Sequence, residues 1–505
     1  MVKSIPKGFK DIKWLESNLK EKPESFWVKR GEKRVLELFK SMSQRVPAYK
    51  DFLRKHKIKP HLIKSIKDLN KIPFTDKDNY LRKYPLESLC WDGKLVDKQW
   101  TICATSGSSG EPYYFPHEVD QDLQYSILAE LYMRTNFQIH KKSTLYIVGF
   151  MMGVWIGGVF TYSAIQLLAQ RGGYKMSIIT PGTDKLGIIN AVRKLGGNFD
   201  QVIIGSYAPF LKDVLDDGVR IGVDWKKYNL RFIFSAEGFS EGLRDYILNI
   251  SGSKNIYTDT LNHYGTVDLG TMSYETPLSI LARKKALDNK KIYSSLFKEK
   301  IKLPTLTQYI PELFYFEEVD RTIICSAFSG LPLVRYDLKD YGGVCGFEEL
   351  KKIYEQENVD IINDAKESGI APTIWKLPFV YVFERKDFMV KFYLCDIYPE
   401  TIRKALQDED LKNKLTGKFS MMVKFDRKNN QYLEINTELR PGIRKFQGLK
   451  NNIAKIITKR LLKENTGYRS VYNHIGERAI PVVVLCNYEH PKYFKPGGKQ
   501  KWVVK

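Results

Sequence analysis

Cysteine is scarce, and its spacing forms no pattern. Six residues, Cys90, Cys103, Cys325, Cys345, Cys395 and Cys486, are spread over 505 positions with no C-x-x-C pair. That spacing excludes a disulfide scaffold and a structural zinc site. Arginine-rich runs, zinc-finger spacing and aromatic–basic RNA signatures are also lacking. The net charge of +23 comes from lysines scattered along the whole length with acids between them. It describes a lysine-rich protein handling polyanionic substrates, and no nucleic-acid partner is expected. The opening Met1-Val2-Lys3-Ser4-Ile5-Pro6-Lys7 lacks the apolar core of a signal peptide, so a reducing cytoplasm is the expected location. There are no internal repeats and no low-complexity tract.

Long uncharged runs are rare too, with one exception. From Ser143 to Gln170 no charged residue occurs, and the stretch is long enough to span a bilayer. Its glycines, with Thr161, Ser163 and Gln166, weaken that reading. The competing one is a buried strand, a glycine-rich turn and a buried helix, since a buried parallel strand is apolar on both faces. No stable membrane insertion is expected.

What is present is globular. A 43% hydrophobic fraction with 13% aromatics builds ordinary cores, and the length suggests two or three domains. Residues 1 to about 100 look mostly helical, with apolar positions at helical spacing in Lys33–Lys40. Further on, strands alternate with helices. Val202-Ile203-Ile204-Gly205 precedes a helix starting near Pro209. Arg231-Phe232-Ile233-Phe234-Ser235 precedes a helix from Ser240 to Leu248. Alternation of this kind argues a parallel sheet with helices on its faces and ligands at the carboxyl ends of its strands. Residues 346–370 read as a polar helical insertion. Beyond about Arg385 the pattern becomes α+β, with strands at Met421–Phe425, Tyr432–Thr437 and Val482–Asn487 and a helix over Gln447–Leu462.

The most informative stretch is Thr105-Ser106-Gly107-Ser108-Ser109-Gly110-Glu111-Pro112, between an apolar segment and an aromatic one. Glycines let backbone N–H groups approach an anion, and hydroxyls add donors, so the natural cargo is a polyphosphate. A polar hairpin turn has the same composition. It is not a P-loop, because no Gly-Lys-Ser/Thr follows. A second motif, Gly238-Phe239-Ser240-Glu241-Gly242, fits the G-x-S-x-G nucleophile elbow, which would need a downstream histidine such as His263, His474 or His490. Its plainer reading makes Ser240 a helix N-cap.

Four more stretches follow in order: Ser235-Ala236-Glu237-Gly238, then His263-Tyr264-Gly265-Thr266-Val267-Asp268, then Leu333 to Asp340, then Glu384-Arg385-Lys386-Asp387-Phe388-Met389 running on to Tyr398-Pro399. The chain ends in Gly497-Gly498-Lys499-Gln500-Lys501. Together with the Ser/Thr/Gly loop, this order resembles the adenylate-forming superfamily of acyl-CoA synthetases and peptide-synthetase adenylation domains. The stretches Val46-Pro47-Ala48-Tyr49-Lys50 and Ile66 to Ile72-Pro73-Phe74 resemble its phenylacetate–coenzyme A ligase branch and the capsule-biosynthesis relatives of that branch.

The resemblance implies an α/β fold: a large multi-sheet adenylation domain over residues 1–384, with a helical lead-in to about residue 100, and a small, mobile α+β domain over 385–505 hinged near Asp387. It implies an ATP- and Mg²⁺-dependent ligase that converts a carboxylic acid into an acyl-adenylate with release of pyrophosphate, then passes the acyl group to coenzyme A. By the same resemblance Thr105, Ser106, Gly107, Ser108, Ser109 and Gly110 hold the β- and γ-phosphates. Glu237 and Gly238 border the adenine, and Tyr264, followed by Gly265, lies against the purine. Thr266 touches the α-phosphate region. Asp268 stands where a metal-holding glutamate is usual and would hold Mg²⁺. Asp340 binds the ribose hydroxyls with Arg385 beside it. Lys499 bridges carboxylate and α-phosphate, so that it and Thr266 are the catalytic pair. The acyl pocket would be lined by Phe150, Met151, Met152, Trp155 and Tyr207.

Three positions depart from the pattern. Glu111 replaces a lysine and Glu384 a glycine. Leu394 stands where a glycine lets the pantetheine arm pass, so a non-CoA acceptor, an adenylyltransferase and a non-catalytic nucleotide-binding relative stay open as alternatives.

Overall fold

The computed structural model describes residues 4–105, 112–236, 238–298, 304–385, 390–393, 395–494 and 503. The chain divides into two compact units. One comprises Met1–Ala104, Tyr114–Ala208 and Val214–Lys386, the other Thr105–Tyr113, Pro209–Asp213 and Asp387–Lys505.

The larger unit opens with helices Ile12–Glu21, Glu24–Arg45 and Pro47–Lys55. Leu38, Phe39 and Met42 of the second helix are at most 2% exposed, and burial of each such side chain contributes roughly 1.5–3 kcal/mol. A hairpin follows, β1 (Thr101–Ala104) antiparallel to β2 (Tyr114–His117). The strands of the main sheet are β3 (Thr144–Gly149), β4 (Met176–Ile179), β5 (Gln201–Ser206), β6 (Leu230–Phe234), β7 (Thr260–Thr266), β8 (Gly270–Tyr274), β9 (Thr305–Gln308), β10 (Phe314–Val319), β11 (Thr322–Ala327), β12 (Leu333–Cys345) and β13 (Phe379–Arg385). Their order across the sheet is β10-β11-β12-β13-β9-β8-β7-β6-β5-β3-β4.

Its two halves differ. Strands β4, β3, β5, β6 and β7 run parallel. Strands β3 and β5 are buried throughout, as a strand covered on both faces must be. From β7 onward the pairing is antiparallel. The reversal is made between Thr266 and Gly270, the latter at φ +77°. A side chain at Gly265 would meet the Gly270 carbonyl at 2.6 Å, so glycine is required there.

The uncharged stretch resolves into β3 and the helix Ile156–Gly172, joined by the glycine-rich turn. Among the described residues no helix is long and apolar enough to cross a membrane. The segment 346–370 forms helices Phe347–Glu355 and Ile361–Glu367, whose Phe347, Leu350, Tyr354 and Ile361 share a core with Leu278 and Phe379.

The smaller unit holds the ribbon β14 (Val390–Phe392) with β15 (Cys395–Ile397) and a sheet of β16 (Leu415–Phe425), β17 (Gln431–Leu439) and β18 (Val482–Cys486). Helices Pro399–Leu406, Gln447–Glu464 and Thr466–Ile475 accompany them. Phe392, Ile402, Phe419, Ile435 and Ile457 belong to one buried cluster. Phe494 is buried, and Val503 bridges Met421 of β16.

Candidate active site

Parallel register brings the carboxyl ends of three strands to one edge, level with Asn262 inside β7. Gly149 of β3 pairs with Ser206 of β5, Ser206 with Phe234 of β6, and Phe234 with Asn262 of β7. Loops leaving such ends are where open α/β sheets bind ligands. Phe150 and Tyr207 continue from β3 and β5 and meet edge to face, ring centroids 5.2 Å apart. The Tyr207 hydroxyl accepts from the Met151 N–H at 3.3 Å. Phe150, Met151 and Tyr207 are each at most 8% exposed. These acyl-pocket candidates thus pack together where the strands end.

After β6 the chain passes Ala236 at φ +78°. This non-glycine residue in the left-handed region sits inside the Ser235–Gly238 motif, and such conformations persist where surrounding structure enforces them. Glu237 lies outside the described residues; Gly238 is exposed. Ser240 is the N-cap of helix Glu241–Ser251, its Oγ accepting from the Leu243 N–H at 3.2 Å. The nucleophile-elbow motif is therefore a capping motif. His263 is buried against Tyr125 and Tyr132, and burial lowers its imidazole to about 3, which leaves it neutral.

Tyr264, on β7, donates its hydroxyl proton to Asp340 Oδ2 at 2.6 Å. Its ring stacks on Phe316, centroids 6.2 Å apart. Asp340 is 5% exposed, so it is no surface charge, and it faces Arg385 across the β12–β13 ladder. Three candidates from distant stretches thus come together at one place, Arg385 by its backbone register. Thr266 accepts from the Leu269 N–H at 3.3 Å and shapes the turn that carries Asp268.

Asp268 is 5% exposed and both its oxygens are engaged. Oδ2 accepts from the Tyr336 hydroxyl at 2.5 Å, and Oδ1 pairs with Lys77 Nζ at 3.1 Å. A resident Mg²⁺ does not fit this arrangement. A divalent ion sharing the carboxylate with the ammonium would meet repulsion of about 8 kcal/mol at ~4 Å and an effective dielectric of ~20. Among the described residues no group of three or more His, Cys, Asp or Glu could hold a metal. Sequence reasoning passed over Lys77 and Tyr336, although Tyr336 stands inside a stretch singled out and Lys77 lies just beyond Ile72-Pro73-Phe74.

His117, also unanticipated, ends β2. Its Nδ1 contacts Gln121 Nε2 at 3.0 Å. Burial lowers it to about 4, against the opposing pull of the Val267 backbone and the Asp268 charge. Next to Gln121, Asp122 has a buried Oδ1 with no hydrogen-bond partner among the described residues. Burial raises its carboxyl from 3.8 to about 6. A raised acid binds its proton more tightly when folded. It therefore costs stability fully above pH 6, and the cost fades as pH falls toward 3.8. Asp122→Asn is expected to stabilise the chain by about 1–2 kcal/mol at pH 7.5 after solvent screening, with the gain gone at pH 4. Thermal melts at the two pH values check this.

The loop candidate Thr105 closes the mouth of its loop. Its N–H donates to the Tyr113 carbonyl at 2.9 Å, and its Oγ1 accepts from the Tyr113 N–H at 2.9 Å. Ser106, Gly107, Ser108, Ser109, Gly110, Glu111, Asp387, Leu394 and Lys499 lie outside the described residues, as do the side chains of Glu384 and Arg385. All six cysteines are buried, and none of them forms a disulfide.

No protein-family model matches the chain, and no curated protein matches it. Solved structures do. The chain is similar to a 2-hydroxyisobutyryl-CoA ligase in complex with 2-HIB-AMP and CoA in the thioesterification state, with TM-score 0.64 and 14% identity over 97% of this chain and 91% of that one. An open conformation of that ligase, again with 2-HIB-AMP and CoA, gives TM-score 0.55 and 14% identity over 97% and 94%. Its postadenylation state with 2-HIB-AMP gives TM-score 0.54 and 14% identity over 97% and 91%. The chain therefore has the fold of the adenylate-forming enzymes that its motifs resemble.

Proposed function

We propose that this protein activates a carboxylic acid with ATP, in the manner of the phenylacetate–coenzyme A ligase branch. The acid's carboxylate attacks the α-phosphorus, the bond to the bridging oxygen breaks, and pyrophosphate leaves with that electron pair. An acyl-adenylate remains. The observation that carries this reading is the meeting of Tyr264, Asp340 and the Arg385 backbone at 2.6 Å and in register. A carboxylate oriented by a tyrosine hydroxyl is an acceptor of the kind ribose hydroxyls need, and the Tyr264 ring is of the kind that suits a flat base. Lys499 supplies the cation for charge developing on the attacking and phosphate oxygens. In the second step a thiol, that of coenzyme A, attacks the acyl carbon and AMP leaves.

The packed Phe150, Met151 and Tyr207 favour an apolar or aromatic acid. Exchange of labelled pyrophosphate into ATP across a panel of carboxylic acids tests the first step. One apolar or aromatic class should support exchange. Exchange confined to short hydrophilic acids would overturn the pocket assignment, and no exchange with any acid would overturn the adenylation reading. Product analysis with coenzyme A, an amine and water as acceptors then decides the second step. A thioester supports the thiol, and an amide would place the acceptor outside it.

A further inference from the structure

We propose that Lys77 is the resident cation of the Asp268 carboxylate and a phosphate-binding residue, so that the nucleotide's α-phosphate is held at Asp268 by an ammonium and not by a divalent metal. The proposal rests on the nucleotide reading above and deepens it.

The chain takes pains to place this lysine. Thr75 adds to β12 as an extra strand, its N–H donating to the Arg335 carbonyl at 3.0 Å and its carbonyl accepting from the Asp337 N–H at 2.8 Å. Asp76 pairs with Lys339 Nζ at 2.8 Å, and its Oδ1 accepts from the N–H groups of Asp78 and Asn79 at 2.8 and 2.7 Å. Just upstream, the Arg335 guanidinium donates to the carbonyls of Asn70 and Ile72 and lies 4.5 Å from the Phe74 ring centre. Arg335 holds φ +50°, a strained choice for arginine that the ladder enforces. Lys339, Arg335 and Tyr336 belong to the same strand. One strand therefore anchors the lead-in and supplies the hydroxyl on Asp268.

Lys77 leaves this anchored segment across the Phe115 ring, 5.7 Å from its centre, and reaches Asp268 Oδ1 at 3.1 Å. The side chain is 23% exposed where Asp268 is 5% exposed. An ammonium carries three N–H donors, and the Asp268 pair uses one. Among the described residues the other two have no hydrogen-bond partner, so the ion pair aims a cation with donors to offer an anion. Thr266, assigned to the α-phosphate region, is two residues from Asp268. A held cation costs no reorganisation when phosphate arrives.

Calorimetric titration of AMP and of adenosine into the full-length chain, in EDTA and in Mg²⁺, tests this. The wild-type chain should bind AMP more tightly than adenosine, to the same extent in both buffers. Lys77→Met should weaken AMP roughly 10- to 100-fold, the range for a hydrogen bond to a charged group, and leave adenosine unchanged. Lys77→Arg should retain most of the preference, because charge is kept. Lys77→Met leaves Asp268 buried and unpaired, so Lys77→Met with Asp268→Asn is measured beside it and should show the same loss. AMP binding that appears only with Mg²⁺ would overturn the proposal, as would an AMP preference unchanged in both Lys77 variants. A wild-type chain that binds neither AMP nor adenosine would overturn the nucleotide reading itself and this proposal with it.

Discussion

Arg244→Met is expected to destabilise the larger unit by about 3–5 kcal/mol, the cost of removing one partner from a buried ion network. Arg244 is fully buried. Its guanidinium donates to Glu275 Oε1 and Oε2 at 2.8 and 2.9 Å, to Glu241 Oε2 at 2.9 Å and to Thr260 Oγ1 at 2.7 Å. Glu275 in turn accepts from the Asn262 N–H of β7 at 2.9 Å. Arg283, itself buried, donates to Glu241 and to the Phe239 carbonyl. The network ties helix Glu241–Ser251 to the strand that carries Tyr264. Methionine fills much of the volume but strands the Glu275 carboxylate and leaves Glu241 to Arg283 and Lys284.

The pH dependence separates this mechanism from a simple packing defect. Burial alone would raise the Glu241 carboxyl, but the charges of Arg244 and Arg283 with the Arg244 hydrogen bond bring it below its ordinary 4.5. A lowered acid contributes stability above pH 4.5 and loses it as pH falls through the folded value. In Arg244→Met that carboxyl loses its chief cation, and protonation relieves it. The gap between wild type and variant should be full at pH 7 and narrow below pH 4.5. Urea unfolding at pH 7 and pH 4 measures both. A loss under about 1 kcal/mol at pH 7, or a gap independent of pH, would show that the network does not act as an ionic unit.

What could be read in advance follows from how local each signal is. The runs Val202–Gly205 and Arg231–Ser235 became β5 and β6 because a doubly covered parallel strand needs no partner to be seen. Ser240 could be read as a cap because the signal lies within one helical turn. The antiparallel half of the sheet was not legible. Its order, with β13 between β12 and β9, depends on pairing between segments far apart in the chain, and nothing in the composition of Phe379–Arg385 announces its neighbours. The site shows the same division. Tyr264 and Asp340 could each be picked from an ordered stretch, but their hydrogen bond joins residues 76 positions apart. Lys77 escaped because its partner is 191 positions away (77 against 268), and a lysine in a lysine-rich chain carries no contrast. A carboxylate read alone looks free to take an ion, and the lysine paired with Asp268 is not visible from the stretch around it.

Lys499→Ala is expected to lower pyrophosphate exchange by about 10²–10³-fold, the effect of deleting one group that meets charge developing in the transition state. Phe494 is buried and Val503 bridges Met421, so the chain on both sides of Lys499 belongs to the smaller unit. The deletion should act on the rate of acyl-adenylate formation and spare nucleotide binding, since the proposed nucleotide contacts, Tyr264, Asp340 and Lys77, all belong to the larger unit. The variant should also turn over a synthetic acyl-adenylate with coenzyme A, because the second step places no charge on the attacking carboxylate and needs no cation there. Loss of the first step with retention of the second would assign Lys499 to adenylation alone. Equal loss of both steps, or AMP affinity reduced in parallel with exchange, would show that the residue holds the nucleotide and would remove it from the catalytic step. Lys499→Arg sharpens the comparison. A guanidinium keeps the charge but replaces a compact point donor with a planar fork, so partial recovery is expected if charge matters most and none if the reacting oxygens require the single ammonium.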